Sequence, residues 1–183
     1  CASAAQLSSP FGLSVDQVTG DLYIADQGNN RIRKIEATAG VITGASTITT
    51  VVGTGTASST GDGGAATAAT INAPVSVLAT AVSGNASTTG TLMVSDSSGH
   101  RIRRVDSSGN ISTFAGTGTA LCGDYGPATS ALIRTPTGMI SDGAGGYYFG
   151  DQSDNRVRRI SSTGIITTVI GFGNGCSALD RCG

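Results

Sequence analysis

Tryptophan, histidine and charged residues are scarce in this sequence, and each scarcity excludes a class of function. The 183-residue chain has no tryptophan, one histidine and a formal net charge of −1, from 11 basic and 12 acidic residues. This balance argues against a nucleic-acid partner, because phosphate binding needs a surplus of positive charge. His100 alone cannot supply the ligands of a metal-dependent lyase, and nucleophile-elbow, phosphate-loop and CxxC motifs are absent. We therefore expect no enzymatic activity and no cofactor.

Long apolar runs are missing as well. No stretch approaches ~18 consecutive apolar residues, so the sequence predicts no membrane insertion. The four cysteines lie in polar segments without zinc-ligand spacing, which favours disulfides in an oxidising compartment over zinc binding or free thiols. The disulfide candidates are Cys1, Cys122, Cys176 and Cys182. Two N-glycosylation sequons, at Asn85 and Asn110, indicate the same compartment, so the expected location is extracellular or at the cell surface.

The chain is rich in short runs of valine, isoleucine and threonine, residues typical of strands, and these runs repeat. Each of three copies opens at a proline and predicts four antiparallel strands, which is the pattern of one β-propeller blade. In the first copy, the first, second and fourth strands are expected at 12–16, 21–26 and 48–53. In the second copy they are expected at 76–82, 91–96 and 111–116, and in the third copy at 138–142, 146–151 and 166–171. The third strand of each copy is the arginine-rich one. The predicted fold class is therefore all-β, with three blades that form part of a larger propeller or array.

Connecting segments separate the three predicted blades. Their order is 1–9 (end of a linker), 10–53 (blade 1), 54–73 (linker A), 74–116 (blade 2), 117–135 (linker B), 136–171 (blade 3) and 172–183 (start of the next linker).

The repeated segments resemble the NHL repeat. The first copy reads PFGLSVD, LYIAD, NRIRKI and ITTVVG, and linker A carries GTG followed by GDGG. Three copies in register cover nearly the whole chain, although the second lacks the opening glycine and aspartate and is lengthened at 83–90. The resemblance implies a propeller of roughly six blades. It also implies a protein, RNA or glycan partner, and a minority of the family are lyases.

Nine of the eleven basic residues lie in an arginine-rich strip that occurs three times, as DQGNNRIRKI, DSSGHRIRRV and DQSDNRVRRI. One interpretation is a ring of anion-binding sites. The other is scaffold, in which each arginine packs its aliphatic stem on a neighbouring blade and pairs with the aspartate that ends the second strand. Scaffold is favoured because every blade repeats the strip, whereas binding sites are usually asymmetric. The predicted ties join Asp26 to Arg31 and Arg33, Asp96 to Arg101 and Arg103, and Asp151 to Arg156 and Arg158.

The remaining polar candidates occupy turn and linker positions. His100 stands where Asn30 and Asn155 stand in the other copies, which predicts a turn residue. Asp62 and Asp124 lie at matching linker positions, and Asp180 fits the same position in the third linker. The GDGG stretch lacks the alternating ligands of a calcium loop, so an Asx-type turn is predicted there.

The two ends of the sequence fit each other. Residues 172–183 followed by 1–9 would make a linker similar in length to linkers A and B. The chain is then either an excerpt from a longer array or a unit that assembles head to tail with copies of itself. In the second case, Cys1, Cys176 and Cys182 meet at the junction and can lock it by disulfides.

These observations favour a non-enzymatic extracellular structural protein, a repeating unit of a surface filament, appendage or matrix. The alternative is a discrete six-bladed propeller that binds a protein or glycan partner, with the loop at 83–90 as its most asymmetric feature. A propeller lyase or lactonase is a distant third.

Overall fold

Each predicted blade forms one four-stranded antiparallel sheet in the computed structural model, which describes residues 1–80, 91–117 and 123–173. Within every sheet the strands follow chain order, and each strand pairs only with its sequence neighbours. This is the up-and-down arrangement of a propeller blade. The all-β, three-blade prediction is confirmed.

The twelve strands are short and similar in length from blade to blade. In blade 1 they are β1 (Pro10–Val15), β2 (Leu22–Asp26), β3 (Arg31–Ile35) and β4 (Ile48–Val52). In blade 2 they are β5 (Pro74–Thr80), β6 (Thr91–Asp96), β7 (Arg101–Val105) and β8 (Ile111–Ala115). In blade 3 they are β9 (Pro136–Ser141), β10 (Tyr147–Asp151), β11 (Arg156–Ile160) and β12 (Ile166–Ile170).

The first strand of each blade begins earlier than the sequence predicted, at the proline itself. Pro10 pairs with Asp26, and the register shifts between Pro10 and Leu13. Proline is tolerated as the first residue of a strand because no ladder hydrogen bond needs its missing N–H there. The proline is therefore part of the strand and not its preceding turn.

The first strands of neighbouring blades lie side by side. The N–H of Ala79 on β5 donates to the hydroxyl of Ser14 on β1, at 3.0 Å. A Cβ on Gly12 would lie 2.6 Å from the carbonyl oxygen of Val75, so this close approach requires glycine. Blade 2 has Ser76 at the matching position, and its hydroxyl accepts the N–H of Met139 on β9, at 3.3 Å. The missing glycine of the second repeat is thus explained by a contact with the next blade.

The hydrophobic core lies between blades. One buried cluster joins blade 1 and linker A to blade 2, and a second joins blade 2 and linker B to blade 3. The first contains Tyr23, Ala25, Ile32, Val52, Ala66, Ala69, Ile71, Val77, Leu92, Val94, Val105 and Ile111. The second contains Met93, Ile102, Ala115, Ala128, Ala131, Ile133, Phe149, Ile160 and Ile166. Burial of each large side chain contributes about 1.5–3 kcal/mol, so each blade is stabilised by its neighbours.

Each linker bridges the outer strands of two blades through main-chain hydrogen bonds. In linker A, the carbonyl of Ala66 accepts the N–H of Gly53 from blade 1, at 3.0 Å. The N–H of the same residue donates to the carbonyl of Gly109 in blade 2, at 2.9 Å. Linker B makes the equivalent pair of bonds through Ala128. The linkers are therefore ordered parts of the interface between blades.

The glycine after each fourth strand sets the direction in which the linker departs. Gly116 has a φ of +97°, and a Cβ there would lie 2.4 Å from the carbonyl oxygen of His100. Gly109, at the tip of the β7–β8 hairpin, has a φ of +80° but no heavy atom within 4 Å of its Cβ position.

We expect Gly116→Ala to be more destabilising than Gly109→Ala. Both substitutions force alanine into the left-handed region, at a cost of about 1–2 kcal/mol. Only the first adds a main-chain clash, which we expect to cost about 1–3 kcal/mol more. Urea unfolding of the two variants and the wild-type protein measures the difference. Equal losses of unfolding free energy in the two variants would show that the close approach to the carbonyl of His100 does not constrain the chain.

Candidate functional site: carboxylates and arginines that tie linkers to blades

The aspartate that ends each second strand is completely buried and binds the linker before its blade. Asp26, Asp96 and Asp151 each have 0% exposure. Their Oδ1 atoms accept hydrogen bonds from the main-chain N–H groups of Ser8, Asn72 and Arg134, at 2.8, 2.7 and 2.9 Å respectively. A buried carboxylate is costly unless it is hydrogen-bonded and paired, so these contacts hold the linker end against the sheet.

The predicted aspartate–arginine pairs come together mainly through the second arginine of each strip. Arg33 lies 3.5 Å from Asp26, and Arg103 lies 3.4 Å from Asp96. In blade 3, Arg158 lies 3.7 Å from Asp151.

The first arginine of the strip behaves differently in blades 1 and 2. Arg31 donates to the carbonyl of Thr54 at 2.8 Å, and Arg101 donates to that of Ser59 at 3.2 Å. Both acceptors belong to linker A. These two arginines therefore bind the linker main chain and not the strand aspartate.

The linker aspartates make the shortest of these contacts. Asp62 of linker A lies 2.6 Å from Arg103 in blade 2, and Asp124 of linker B lies 2.7 Å from Arg158 in blade 3. The hydroxyl of Thr113 also donates to Asp62, at 2.6 Å. The Asx-turn interpretation missed this role. The signal in the sequence was that Asp62 and Asp124 recur together with the arginine strip.

Each clamped arginine therefore sits between two carboxylates, one from its own blade and one from the preceding linker. Arg103 and Arg158 have 0% side-chain exposure. A guanidinium stays protonated in proteins, and its planar fork of N–H donors suits such bridging. We name this arrangement of linker aspartate, strip arginine and strand aspartate the linker clamp.

Local contacts shift the acidities of the two carboxylates around Arg103 in opposite directions. Burial works to raise the pKa of Asp62, but the hydrogen bonds from Thr113 and Arg103 outweigh it and lower the pKa. Burial raises the pKa of Asp96, and the amide of Asn72 and the charge of Arg103 offset this effect only in part. The clamp therefore lowers the pKa of the linker carboxylate, whereas burial raises the pKa of the strand carboxylate.

Blade 3 departs from the pattern through Asp154, which stands where blade 1 has Asn29 and blade 2 has Gly99. Its carboxylate lies 2.8 Å from Arg156 and 3.2 Å from Arg134 of linker B. Arg156 also lies 3.4 Å from Asp151. This larger network was not predicted, because Asp154 occurs in only one copy of the strip.

His100 is a turn residue, exposed to solvent, with a left-handed φ of 57°. Asn30 and Asn155 share this conformation, at 51° and 53°. The Nδ1 atom of His100 contacts the carbonyl oxygen of Arg134. Among the described residues, no group of three histidine, cysteine, aspartate or glutamate side chains is placed to hold a metal ion.

The cysteine and sequon predictions remain predictions. Cys1 is exposed, with its thiol 3.4 Å from the hydroxyl of Ser3. Asn110 is exposed and lies immediately before β8, and a mass change on enzymatic deglycosylation would test the sequon. The predicted positions that lie outside the described residues are Cys122, Cys176, Cys182, Asn85 and Asp180.

Comparison with known proteins gives a family and a fold. The family model of the teneurin NHL domain matches residues 2–121. Human Teneurin-4 is 34% identical over 103 residues, which is 49% of this chain and 4% of that protein. The chain therefore spans only a small part of its curated relatives.

Solved structures share the fold at low sequence identity. An auxiliary nutrient binding protein from Bacteroides ovatus has a TM-score of 0.69 at 19% identity, over 91% of this chain and 39% of its own. Virginiamycin B lyase from Staphylococcus aureus has a TM-score of 0.54 at 16% identity, over 97% of this chain and 45% of its own. Both similarities concern the NHL-type β-propeller fold.

We expect the linker aspartates to stabilise the fold according to how deeply they are buried. Asp124 has 5% side-chain exposure and Asp62 has 42%. Asp124→Asn should reduce the free energy of unfolding by about 1–3 kcal/mol, because hydrogen bonds to buried charges contribute that much. Asp62→Asn should cost about 1 kcal/mol or less, since solvent screens the exposed pair. Denaturant unfolding at pH 7 measures both, with Asp106→Asn in an exposed hairpin turn as the control.

The same variants also test how stability depends on pH, and the lowered pKa of Asp62 fixes the expected direction of that dependence. A carboxylate whose pKa is lowered on folding stabilises the protein above its unfolded pKa and loses that effect as the pH falls through the folded pKa. The stability difference between wild type and Asp62→Asn should therefore shrink below the usual aspartate value of 3.8. A difference that persists in acid would mean that the charge of Asp62 is not what the clamp uses.

Proposed function

Because the chain belongs to the teneurin NHL domain family, we propose that it is a non-enzymatic structural segment of an extracellular protein, whose end blades bind further blades. The observation that carries this proposal is the exposure of apolar side chains on the two outer faces of the three-blade stack. The inner faces use the matching positions to pack one blade on another. Exposed apolar patches of this kind mark interaction surfaces.

The leading face of blade 1, which points away from blade 2, includes Leu13 and Val15. Their side chains are 63% and 45% exposed. The equivalent residues of blade 2, Val77 and Ala79, pack in the core against blade 1. The same sequence positions are thus buried where a preceding blade is present.

The trailing face of blade 3, which points away from blade 2, includes Ile140 and Ile170. They are 64% and 67% exposed. Their equivalents in blade 2, Leu78 and Ala115, pack against blade 3. The two outer faces therefore have the composition of the two halves of an interface between blades.

An extracellular location is supported by the family and by the chain itself. The teneurin relatives are cell-surface proteins. The expected disulfides and sequons fit that compartment. Within the described segments, no helix is long and apolar enough to cross a membrane.

The leading form of the proposal is head-to-tail assembly, in which the trailing face of one copy covers the leading face of the next. Heterologous contacts of this kind produce closed rings or open filaments, depending on whether the rotation closes. A surface filament, appendage or matrix would be built by the open form.

A discrete propeller that binds a protein or glycan is the second candidate. It is supported by the chain lengths of the structural relatives, since this chain covers only 39% of the Bacteroides ovatus nutrient binding protein. In that case the outer faces meet further blades of one ring, and the loops bind the partner. A lyase activity is disfavoured because the single histidine is an exposed turn residue.

We expect the purified protein to associate in a concentration-dependent manner, as measured by light scattering, and to form rings or filaments in electron micrographs. Ile140→Asp should weaken association at least tenfold, because a charge on the trailing face must be desolvated on contact. Val41→Asp is the matched control, since Val41 is 59% exposed but lies in the β3–β4 loop.

Two outcomes would count against head-to-tail assembly. A monomer at every concentration would exclude it and leave the discrete propeller. Equal effects of the two aspartate substitutions would show that association does not use the trailing face.

A reducing agent that changes neither association nor thermal stability would exclude the disulfide lock at the junction.

A further inference from the structure

A groove crosses all three blades at the edge where each first strand begins and each second strand ends. Its volume of about 520 Å³ lies within the ~300–1,000 Å³ range of small-molecule sites. Two positions of the repeat supply much of its lining, and every blade contributes to both. They are the second residue of the first strand (Phe11, Val75 and Thr137) and the residue after the strand aspartate (Gln27, Ser97 and Gln152). We name this cavity the three-blade groove.

The lining of the three-blade groove changes from blade to blade, although the scaffold beside it repeats. The strand aspartate is the same in all three blades, but the residue that follows it is glutamine, serine and glutamine in turn. The second residue of the first strand is phenylalanine, valine and threonine. Side chains that vary on a constant framework are typical of a binding surface.

Hydrogen bonds between blades 2 and 3 fix one wall of the groove. The hydroxyl of Ser97 donates to the carbonyl of Pro136. The hydroxyl of Ser95 donates to the carbonyl of Thr137, at 2.9 Å. A ligand in the groove therefore meets a surface that is already ordered, which lowers the entropic cost of binding.

The side-chain amides of Gln27 and Gln152 are available to a ligand. Neither amide makes a hydrogen bond with another described residue, and Gln152 is exposed. The main-chain N–H of Gln152 donates to the carbonyl of Thr135 at 3.0 Å, so the backbone that carries this amide is held in place. A glutamine amide offers two donors and a carbonyl acceptor. It therefore suits hydroxyl groups, which also donate and accept.

Phe11 adds an apolar surface to the same groove, and its side chain is 66% exposed. The negative face of an aromatic ring attracts weakly positive C–H groups, such as those on one side of a sugar ring. None of the described residues that line the groove is charged. An ionic ligand would lose its hydration there without gaining a countercharge, which is unfavourable.

We propose that the three-blade groove binds a neutral saccharide, whose ring stacks on Phe11 and whose hydroxyl groups pair with the amides of Gln27 and Gln152. This inference rests on the second candidate function, a propeller that binds a partner, and names the site and the ligand class. It does not require head-to-tail assembly, because Ile140 and Ile170 of the trailing face do not line the groove.

The test begins with a glycan array that carries neutral oligosaccharides beside their sialylated and sulfated counterparts. We expect the labelled protein to bind neutral members of the array, with no gain from the added acidic groups. The disaccharide core of a bound glycan is then titrated into ¹⁵N-labelled protein, and chemical-shift changes give the dissociation constant. Phe11→Ala and Gln152→Ala should each weaken binding at least fivefold, because a stacking surface or a set of hydrogen bonds is lost.

Phe172→Ala and Gln17→Ala are the matched controls. Both residues are exposed and lie outside the groove, so their removal should leave the dissociation constant unchanged. Circular dichroism and thermal unfolding report whether each variant retains the fold.

Four outcomes would overturn the proposal. The first is a protein that binds no glycan on the array, and the second is tighter binding to sialylated or sulfated glycans than to neutral ones. The third is sugar binding that Phe11→Ala and Gln152→Ala leave unchanged, which would move the site elsewhere and preserve the second candidate function. The fourth is a response of the groove amides to an end-capped peptide of glycine and serine but to no sugar, which would assign the groove to a peptide.

Ile140→Asp separates this inference from head-to-tail assembly. We expect it to weaken self-association and to leave the dissociation constant of the sugar unchanged. A wild-type monomer that binds neutral glycans through the groove would support this inference and exclude assembly.

Discussion

The buried carboxylate at the end of each second strand is the constraint on which the rest of this structure depends. A charge with 0% exposure must be neutralised and hydrogen-bonded by its surroundings. For Asp96, the partners come from the linker main chain at Asn72 and from Arg103 on the adjacent strand. Satisfying this group therefore fixes the linker, the third strand and the arginine at once. Arg103 then needs Asp62, which fixes the far end of the same linker.

This constraint explains why the second arginine of the strip in blades 2 and 3 fits the scaffold interpretation better than the anion-binding one. Arg103 and Arg158 are enclosed by carboxylates of the same chain and have no exposed side-chain surface. A guanidinium in this setting cannot attract external phosphate. Departures from the repeat occur where one blade meets the next, as with Ser76 against β9 and Asp154 against Arg134. Among the described residues, these two departures from the repeat therefore lie at contacts with a neighbouring blade or linker.

Much of the fold could be predicted from the sequence, because strand alternation and turn residues are local signals that three copies reinforce. The four strands of each blade and the pairing of the second arginine of each strip with its own strand aspartate belong to this class, since Asp96 and Arg103 are only 7 residues apart. The linker clamps were missed because Asp62 and Arg103 are 41 residues apart, and Asp124 and Arg158 are 34 apart. Local periodicity does not report which side chains meet across a blade interface. Asp154 was missed for another reason, since a residue present in one copy leaves no repeat signal.

The clamp also gives the chain a direction of assembly during synthesis. In both complete clamps, the linker carboxylate precedes its arginine in the sequence, as Asp62 precedes Arg103 and Asp124 precedes Arg158. When a ribosome releases the chain from its N-terminus, each new blade emerges after the segment that will neutralise its buried arginine. Each blade can then fold against the preceding blade, which is already formed, without waiting for residues that are synthesised later. A circular permutation that opens a linker after its aspartate would reverse that order for one blade and leave its arginine without the linker carboxylate until translation ends.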